Sequence, residues 1–145
     1  MNYMELAYEQ AKKSYDMGEV PVGAVIIKDM KVISVGHNLT ETNNDPTAHA
    51  EIIAIRRACE LLGTPRLTGC DLYVTLEPCA MCTGAIINAR IRGLYIGAMD
   101  KKAGCCGSVK DLVTKQYFNH KTEVYYGLME DECSHILTKF FKERR

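Results

Sequence analysis

Neither sign of charge is in surplus: 18 Lys and Arg residues offset 18 Asp and Glu residues across 145 positions, leaving a formal net charge of zero. Proteins that hold nucleic acid without specificity carry a basic balance, so that class is disfavoured. Local clusters remain at Lys101-Lys102, Lys110, Lys115, and the terminal Lys139, Lys142, Arg144 and Arg145. Charge alone reads them as solvated helix faces, which permit a nucleic-acid substrate without demanding one. No apolar run approaches a membrane span, and the opening MNYMELAYEQAKKSY lacks the apolar core of a signal peptide. A cytoplasmic protein without membrane contact is therefore expected. The chain also lacks repeats, low-complexity stretches and linkers, so its 145 residues, 47% of them hydrophobic, predict one domain over 1–145 with its own core.

What is present is a constellation in two pieces: His49-Ala50-Glu51 within PTAHAEI, and Pro78-Cys79-Ala80-Met81-Cys82 within LEPCAMC. One imidazole and two thiolates fill three corners of a zinc tetrahedron and leave the fourth for water, as in catalytic rather than closed structural sites. Asp45, Pro46 and Thr47 supply cap and first-turn residues for a helix that carries Ile52, Ile53, Ile55, Leu61 and Leu62 and stops at Gly63. His49 and Glu51 then fall in its first turn. Pro78 suits the first position of a second helix, which sets Cys79 and Cys82 three apart on one face. Helix N-termini favour thiolate over thiol, so the same geometry helps ionise the ligands. A lone Cys-x-x-Cys is weak evidence, since redox pairs and half zinc sites share it. Combined with His-x-Glu it is the H-x-E…P-C-x-x-C signature of zinc deaminases that act on bases.

The rest of the chain alternates in type. A helix over residues 2–17 should bury Leu6, Ala7, Ala11 and Tyr15. PVGAVIIKD is a continuous apolar run, the pattern of a strand covered on both faces, and KVISVGHN is its hairpin partner across Asp29-Met30. After the His49 helix come a strand at DLYVTL, the Cys79 helix, a strand at GLYIGA, and a loop-rich stretch from Asp100 to about His120. A short strand at EVYYG and a closing helix from Glu130, with Leu137, Phe140 and Phe141 able to pack, complete the chain. This order predicts an α/β fold, a three-layer α/β/α sandwich around a mixed five-stranded sheet, with the metal ligands at helix starts beyond the strand ends. Seven cysteines are an odd number, and two are assigned to metal. Cys59, Cys70, Cys105, Cys106 and Cys133 read as reduced thiols acting as small hydrophobes. His37, His120 and His135 lack ligand-type neighbours at usual spacings and read as scaffold residues.

Beyond the metal motifs, the chain carries GHN, DPTAHAEI, LEPCAMCTGAI, GAMDKKAGCCGS, NHKTEVYYG and DECSHILTKFFKERR. Over nearly its whole length it resembles the bacterial tRNA-specific adenosine deaminases of the cytidine deaminase-like superfamily. The resemblance implies a homodimer with one Zn2+ per chain that converts adenosine to inosine at the wobble position of a tRNA anticodon stem-loop. It also implies that Asn38 and the backbone of Ala50 hydrogen-bond the base and that Asp100 lies near the sugar of the preceding nucleotide. Read from residue type alone, Asn38 caps a strand end and Asp100 starts a turn. Cys105-Cys106 departs from the family, where small residues such as alanine are expected.

On residue type, zinc bound by His49, Cys79 and Cys82 lowers the pKa of its water toward about 7. Attack at C6 of adenine then needs a proton delivered to N1 and later to the departing amine, and Glu51 is the carboxylate placed to carry it. A deaminase of a free nucleobase or nucleotide would keep all four of these residues, but has no evident use for the basic tail. A zinc-stabilised interaction module could dispense with Glu51, and a redox protein using Cys79 and Cys82 would bind no zinc.

Overall fold

The fold is seen in a computed structural model that describes residues 2–113 and 118–144. Lys115 and Arg145 of the basic clusters lie outside the described residues. Helix α1 runs over Tyr3–Asp16 and is capped by Asn2, whose side chain accepts from the N–H groups of Met4 and Glu5. Its buried face is Met4, Ala7, Gln10, Ala11 and Ser14, so two of the expected four, Ala7 and Ala11, are fully covered while Leu6 and Tyr15 are half-buried. Polar Gln10 and Ser14 take the places that periodicity gave to larger apolar groups.

Strands β1 (Gly23–Lys28) and β2 (Lys31–His37) form the expected hairpin. Asp29 and Met30 both adopt left-handed backbone, φ 50° and 64°, the twist that a two-residue turn between right-twisted strands requires. Strands β3 (Cys70–Leu76), β4 (Gly93–Ala98) and β5 (Glu123–Tyr125) follow, with sheet order β2-β1-β3-β4-β5. β1 pairs antiparallel with β2 and β3, whereas β3–β4 and β4–β5 are parallel, so the sheet is mixed. Helices α2 (Ala50–Leu62) and α3 (Ala80–Asn88) cover one face, and α1 and α4 (Glu130–Glu143) cover the other. β1 accordingly divides its apolar run between two cores. Ala24 and Ile26 join Ala54, Ala58 and Ile86, while Val25 and Ile27 join Met4, Ala7 and Cys133.

Four local expectations are corrected. α2 begins at Ala50, not at residues 45–47, because Asp45 spends its carboxylate on the N–H and hydroxyl of Thr47 in a separate turn. Its buried face is Ala50, Glu51, Ala54, Ile55 and Ala58, with Leu61 64% exposed, so the helix approaches the sheet on alanines and Ile55, while Ile52 and Ile53 are only partly covered. Pro78 precedes α3 by two positions, leaving Cys79 as the N-cap. In α4, Phe140 packs but Phe141 points outward and is 49% exposed.

The close approach of α2 depends on Gly36. A Cβ at that position in β2 would lie 2.4 Å from the carbonyl oxygen of Ala50 and 2.8 Å from the nitrogen of Ala54. On the α1 face, Tyr73, Tyr95 and Tyr125 occupy adjacent register positions on β3, β4 and β5. Their rings stack with centroids 4.3 and 4.7 Å apart, and Tyr3 of α1 leans on Tyr73 at 5.4 Å.

Candidate functional site

Both halves of the constellation arrive at the same end of the sheet. β3 ends at Leu76 and leads through Glu77 and Pro78 into α3, while β2 ends at His37 and leads through a loop into α2. His49 is the N-cap of α2 and Cys79 the N-cap of α3, both with extended backbone and neither using its side chain to cap its own helix. N-cap side chains ordinarily turn back to accept a helix N–H. Here they point at each other: Nδ1 of His49 lies 3.7 Å from Sγ of Cys79 and 3.5 Å from Sγ of Cys82.

These distances test the fit to a metal ion. Tetrahedral zinc with ordinary bonds to nitrogen and sulfur sets its N and S donors about 3.6 Å apart, and the two observed separations straddle that value. All three donor atoms lie within 4.8 Å of one another, a grouping of three ligand-type side chains found among the described residues. An imidazole with two thiolates is a zinc donor set with one corner left open. The residues present fit the ion.

The titratable groups around this point perturb one another. The hydrogen bond from the Cys82 thiol brings Cys79 down to about 4, against the opposing effect of burial and with a further bond from His49. The same bond, with burial, drives Cys82 upward, so Cys79 carries the negative charge of the pair. His49 is raised, mainly by its hydrogen bond to Cys79. Glu51, the second residue of α2 and 4% exposed, is pushed up to about 7, chiefly because burial disfavours the carboxylate. A group that titrates near neutrality and lies beside the candidate ligands can give or take a proton there.

A cavity of about 270 Å³ opens onto these residues. It is slightly below the roughly 300–1,000 Å³ of pockets for drug-sized ligands, so it suits one heterocycle rather than a stack of them. His49, Ala50, Glu51, Cys79, Asn38 and Asp100 all line it, and Cys82 lies buried behind Cys79. Asn38 is 7% exposed and already hydrogen-bonded: its Nδ2 donates to the Val20 carbonyl, and its Oδ1 accepts from the N–H of Thr40. One N–H and one lone pair of that amide remain for a ligand. Ala50 is the first residue of α2, where a backbone N–H has no acceptor within the helix. Asp100 accepts from the N–H groups of Lys102 and Ala103 and does start a turn, at the cavity wall.

Sequence reasoning missed two buried acids beside the cavity. Glu19, 1% exposed, accepts from the N–H groups of Glu41 and Thr42 and from the Thr40 hydroxyl. Burial alone would raise it, but these bonds outweigh burial and hold it below the usual range. Glu77, 2% exposed, accepts three N–H groups of the 100–108 segment. The available signal was slight: Glu77 stands directly before Pro78 where β3 ends, and Glu19 stands two positions before Pro21 ahead of β1.

Of the histidines outside the constellation, His37 and His120 are tied to the scaffold, while His135 is exposed on α4. Nδ1 of His37 lies 3.0 Å from the Ser14 hydroxyl, which itself donates to the Asn38 carbonyl. His120 must donate through Nε2, because its partner is the carbonyl oxygen of Ile91. Among the cysteines, all seven are free, and Cys70, Cys106 and Cys133 sit in the cores. No described helix is long and apolar enough to cross a membrane.

The family model for MafB19-like deaminases matches residues 1–145. A tRNA-specific adenosine deaminase of Bacillus subtilis (strain 168) is 47% identical over 143 residues, which are 99% of this chain and 89% of that protein. A solved structure from work on A-to-I editing by tRNA:A34 deaminases at the wobble position of transfer RNA superposes with a TM-score of 0.90 at 51% identity, covering 92% of this chain and 97% of the other. A guanine deaminase from Bacillus subtilis is more distant, with a TM-score of 0.67 and 37% identity over 99% of this chain and 94% of its own.

Proposed function

The chain belongs to the family of the tRNA-specific adenosine deaminases, and from that premise we propose that it hydrolyses the 6-amino group of the wobble adenosine in a tRNA anticodon, leaving inosine. The observation that carries the reading is the triad of His49, Cys79 and Cys82 at zinc spacing, with the buried carboxylate of Glu51 alongside it.

Nδ1 of His49 and the sulfurs of Cys79 and Cys82 would hold one Zn2+ per chain. Zinc so bound supplies a water whose pKa is lowered toward about 7, and therefore a nucleophile at neutral pH. Glu51 holds the proton that the reaction must move. Buried beside the ligands, it can take a proton from the attacking water and pass it to N1 of the adenine as C6 is attacked, then carry the proton of the new C6 hydroxyl to the departing amine, which leaves as ammonia. The N–H of Ala50 and the remaining amide positions of Asn38 orient the base, and Asp100 stands near the sugar of the preceding nucleotide. A base flipped from an unpaired loop enters a one-heterocycle cavity at less cost than one drawn from a duplex, which favours the anticodon loop as the target.

The functional unit on this reading is one deaminase domain over residues 1–145, paired as a homodimer and working in the cytoplasm, where its substrate is found. The outer face of α3 supports pairing: Ala80 and Met81 are exposed, and the space beside Gly84 is open. Two-fold homodimers are the commonest closed assembly. The decisive assay compares the zinc-loaded protein on an anticodon stem-loop carrying adenosine, on free adenosine, and on free guanine and cytosine. Inosine in the stem-loop alone is the expected product. Release of ammonia from a free nucleobase with no RNA editing would replace this reading with a nucleobase deaminase.

A further inference from the structure

Glu77 takes no part in the chemistry above, yet it is buried and lines the cavity. Its two oxygens gather three main-chain N–H groups from one segment. Oε1 accepts from Asp100 at 2.9 Å, and Oε2 accepts from Cys106 at 3.0 Å and Ser108 at 2.9 Å. The segment contains neither helix nor strand apart from an isolated bridge between Cys106 and Asp111. Buried backbone donors need partners, and here one side chain does what a β-ladder does elsewhere. Gly104 lets the loop close over the carboxylate, since a Cβ there would come within 2.3 Å of the Glu77 Cδ and Oε1. The anchor itself is fixed. The Glu77 N–H donates to the Ala98 carbonyl at 2.8 Å, and the next residue, Pro78, accepts from the N–H of Cys105 at 2.9 Å.

We propose that Glu77 is a positioning residue for substrate recognition, holding residues 100–108 as one wall of the base cavity through its three N–H bonds. The proposal rests on the deaminase reading, because that wall presents Asp100 and Ala103 to the cavity. The carboxylate can serve all three donors because both of its oxygens accept. A glutamine has one accepting oxygen, and its NH2 group would face N–H donors at the other end, so it releases either Asp100 or the Cys106–Ser108 pair.

The test joins amide hydrogen exchange with steady-state kinetics on the zinc-loaded protein. In the wild type, the amides of Asp100, Cys106 and Ser108 should be protected although they lie in a loop. In Glu77→Gln, at least one of the three should exchange about tenfold faster or more, while the amides of β3 and β4 keep their protection. On the anticodon stem-loop, KM should rise about tenfold or more, the worth of one hydrogen bond to a charged acceptor. The value of kcat should stay within about threefold, with zinc still near one per chain. A purely structural role would lower Tm yet leave KM and loop exchange at wild-type values, and that result overturns the proposal. If Glu77→Gln does not fold, the wild-type protein decides: fast exchange at the three amides overturns the anchor and protection sustains it. Should the wild-type protein fail to edit the RNA at all, the deaminase reading falls, whereas the exchange data still judge Glu77 separately.

Discussion

Gly36→Ala is the substitution whose consequence can be followed furthest through this fold. Gly36 is a strand residue, and alanine suits its backbone. The obstacle is what the new methyl meets: the Ala50 carbonyl oxygen at 2.4 Å and the Ala54 nitrogen at 2.8 Å, where ordinary contact begins at 3.4 Å. Both are backbone atoms of α2, so no side chain can rotate away, and the helix start must retreat by about 1 Å. That start carries His49, whose Nδ1 lies 3.5 and 3.7 Å from the two sulfurs. Metal–ligand distances tolerate about 0.2 Å, so the retreat exceeds the tolerance several-fold. Overpacking should cost about 1–3 kcal/mol of stability, roughly 3–12 °C in Tm for a chain of this length. Misplacing one ligand should weaken zinc binding by about 10–100-fold, the scale seen when groups that orient metal ligands are lost. Competition with a chromogenic chelator, run well below the variant's Tm, measures the affinity apart from unfolding. A Gly36→Ala protein that melts lower but holds zinc as tightly as wild type would falsify the argument that this glycine sets the metal geometry.

Other outcomes follow from the same structure. Glu51→Gln should keep zinc near one per chain while turnover drops by about 10²-fold or more; near-normal deamination would remove Glu51 from the proton path. Cys79→Ala and Cys82→Ala should lose zinc and stability together, since ligation between two helices is coupled to folding, and full metal occupancy in either variant would mean that the ligands are wrongly assigned. Burial lowers the His37 pKa, so the folded state resists the proton that the unfolded chain accepts near the ordinary value of 6.5. Stability should therefore decline as pH falls below about 6.5, and urea unfolding of His37→Gln should show a shallower decline than wild type over that range. Light scattering should give a dimer mass at micromolar concentration, with Gly84→Arg on the open face of α3 shifting it to the monomer; a wild-type monomer would refute the pairing.

The sheet, its hairpin and the parallel crossover through α3 were legible because β1, β3 and β4 are largely apolar runs bounded by turn residues, and β1, covered on both faces, has no alternation to misread. The constellation was legible because ligand chemistry restricts residue types far more than packing does. What escaped was the use of polar atoms. Asp45 reads as a helix cap and instead closes a turn on Thr47, five positions ahead of α2. Leu61 reads as core and faces solvent because alanines give α2 a closer seat. Glu19 and Glu77 belong to no motif, and their partners are backbone N–H groups of loops 22 to 31 residues away. Main-chain donors have no sequence identity, so no pattern of residue types announces such an anchor.

The tyrosine stack on the α1 side of the sheet gives the molecule an optical signal of its own. The chain contains no tryptophan, so its near-ultraviolet spectrum belongs to tyrosine and phenylalanine. Among the tyrosines, Tyr73, Tyr95 and Tyr125 lie close and parallel enough for their transitions to mix. Tyr125 belongs to a strand of only three residues at the sheet edge. Its ring stays in the stack only while that strand is docked. Near-ultraviolet circular dichroism of the unlabelled protein can thus follow the edge separately from the helices, which absorb elsewhere, and partial opening at β5 becomes visible without a probe being added.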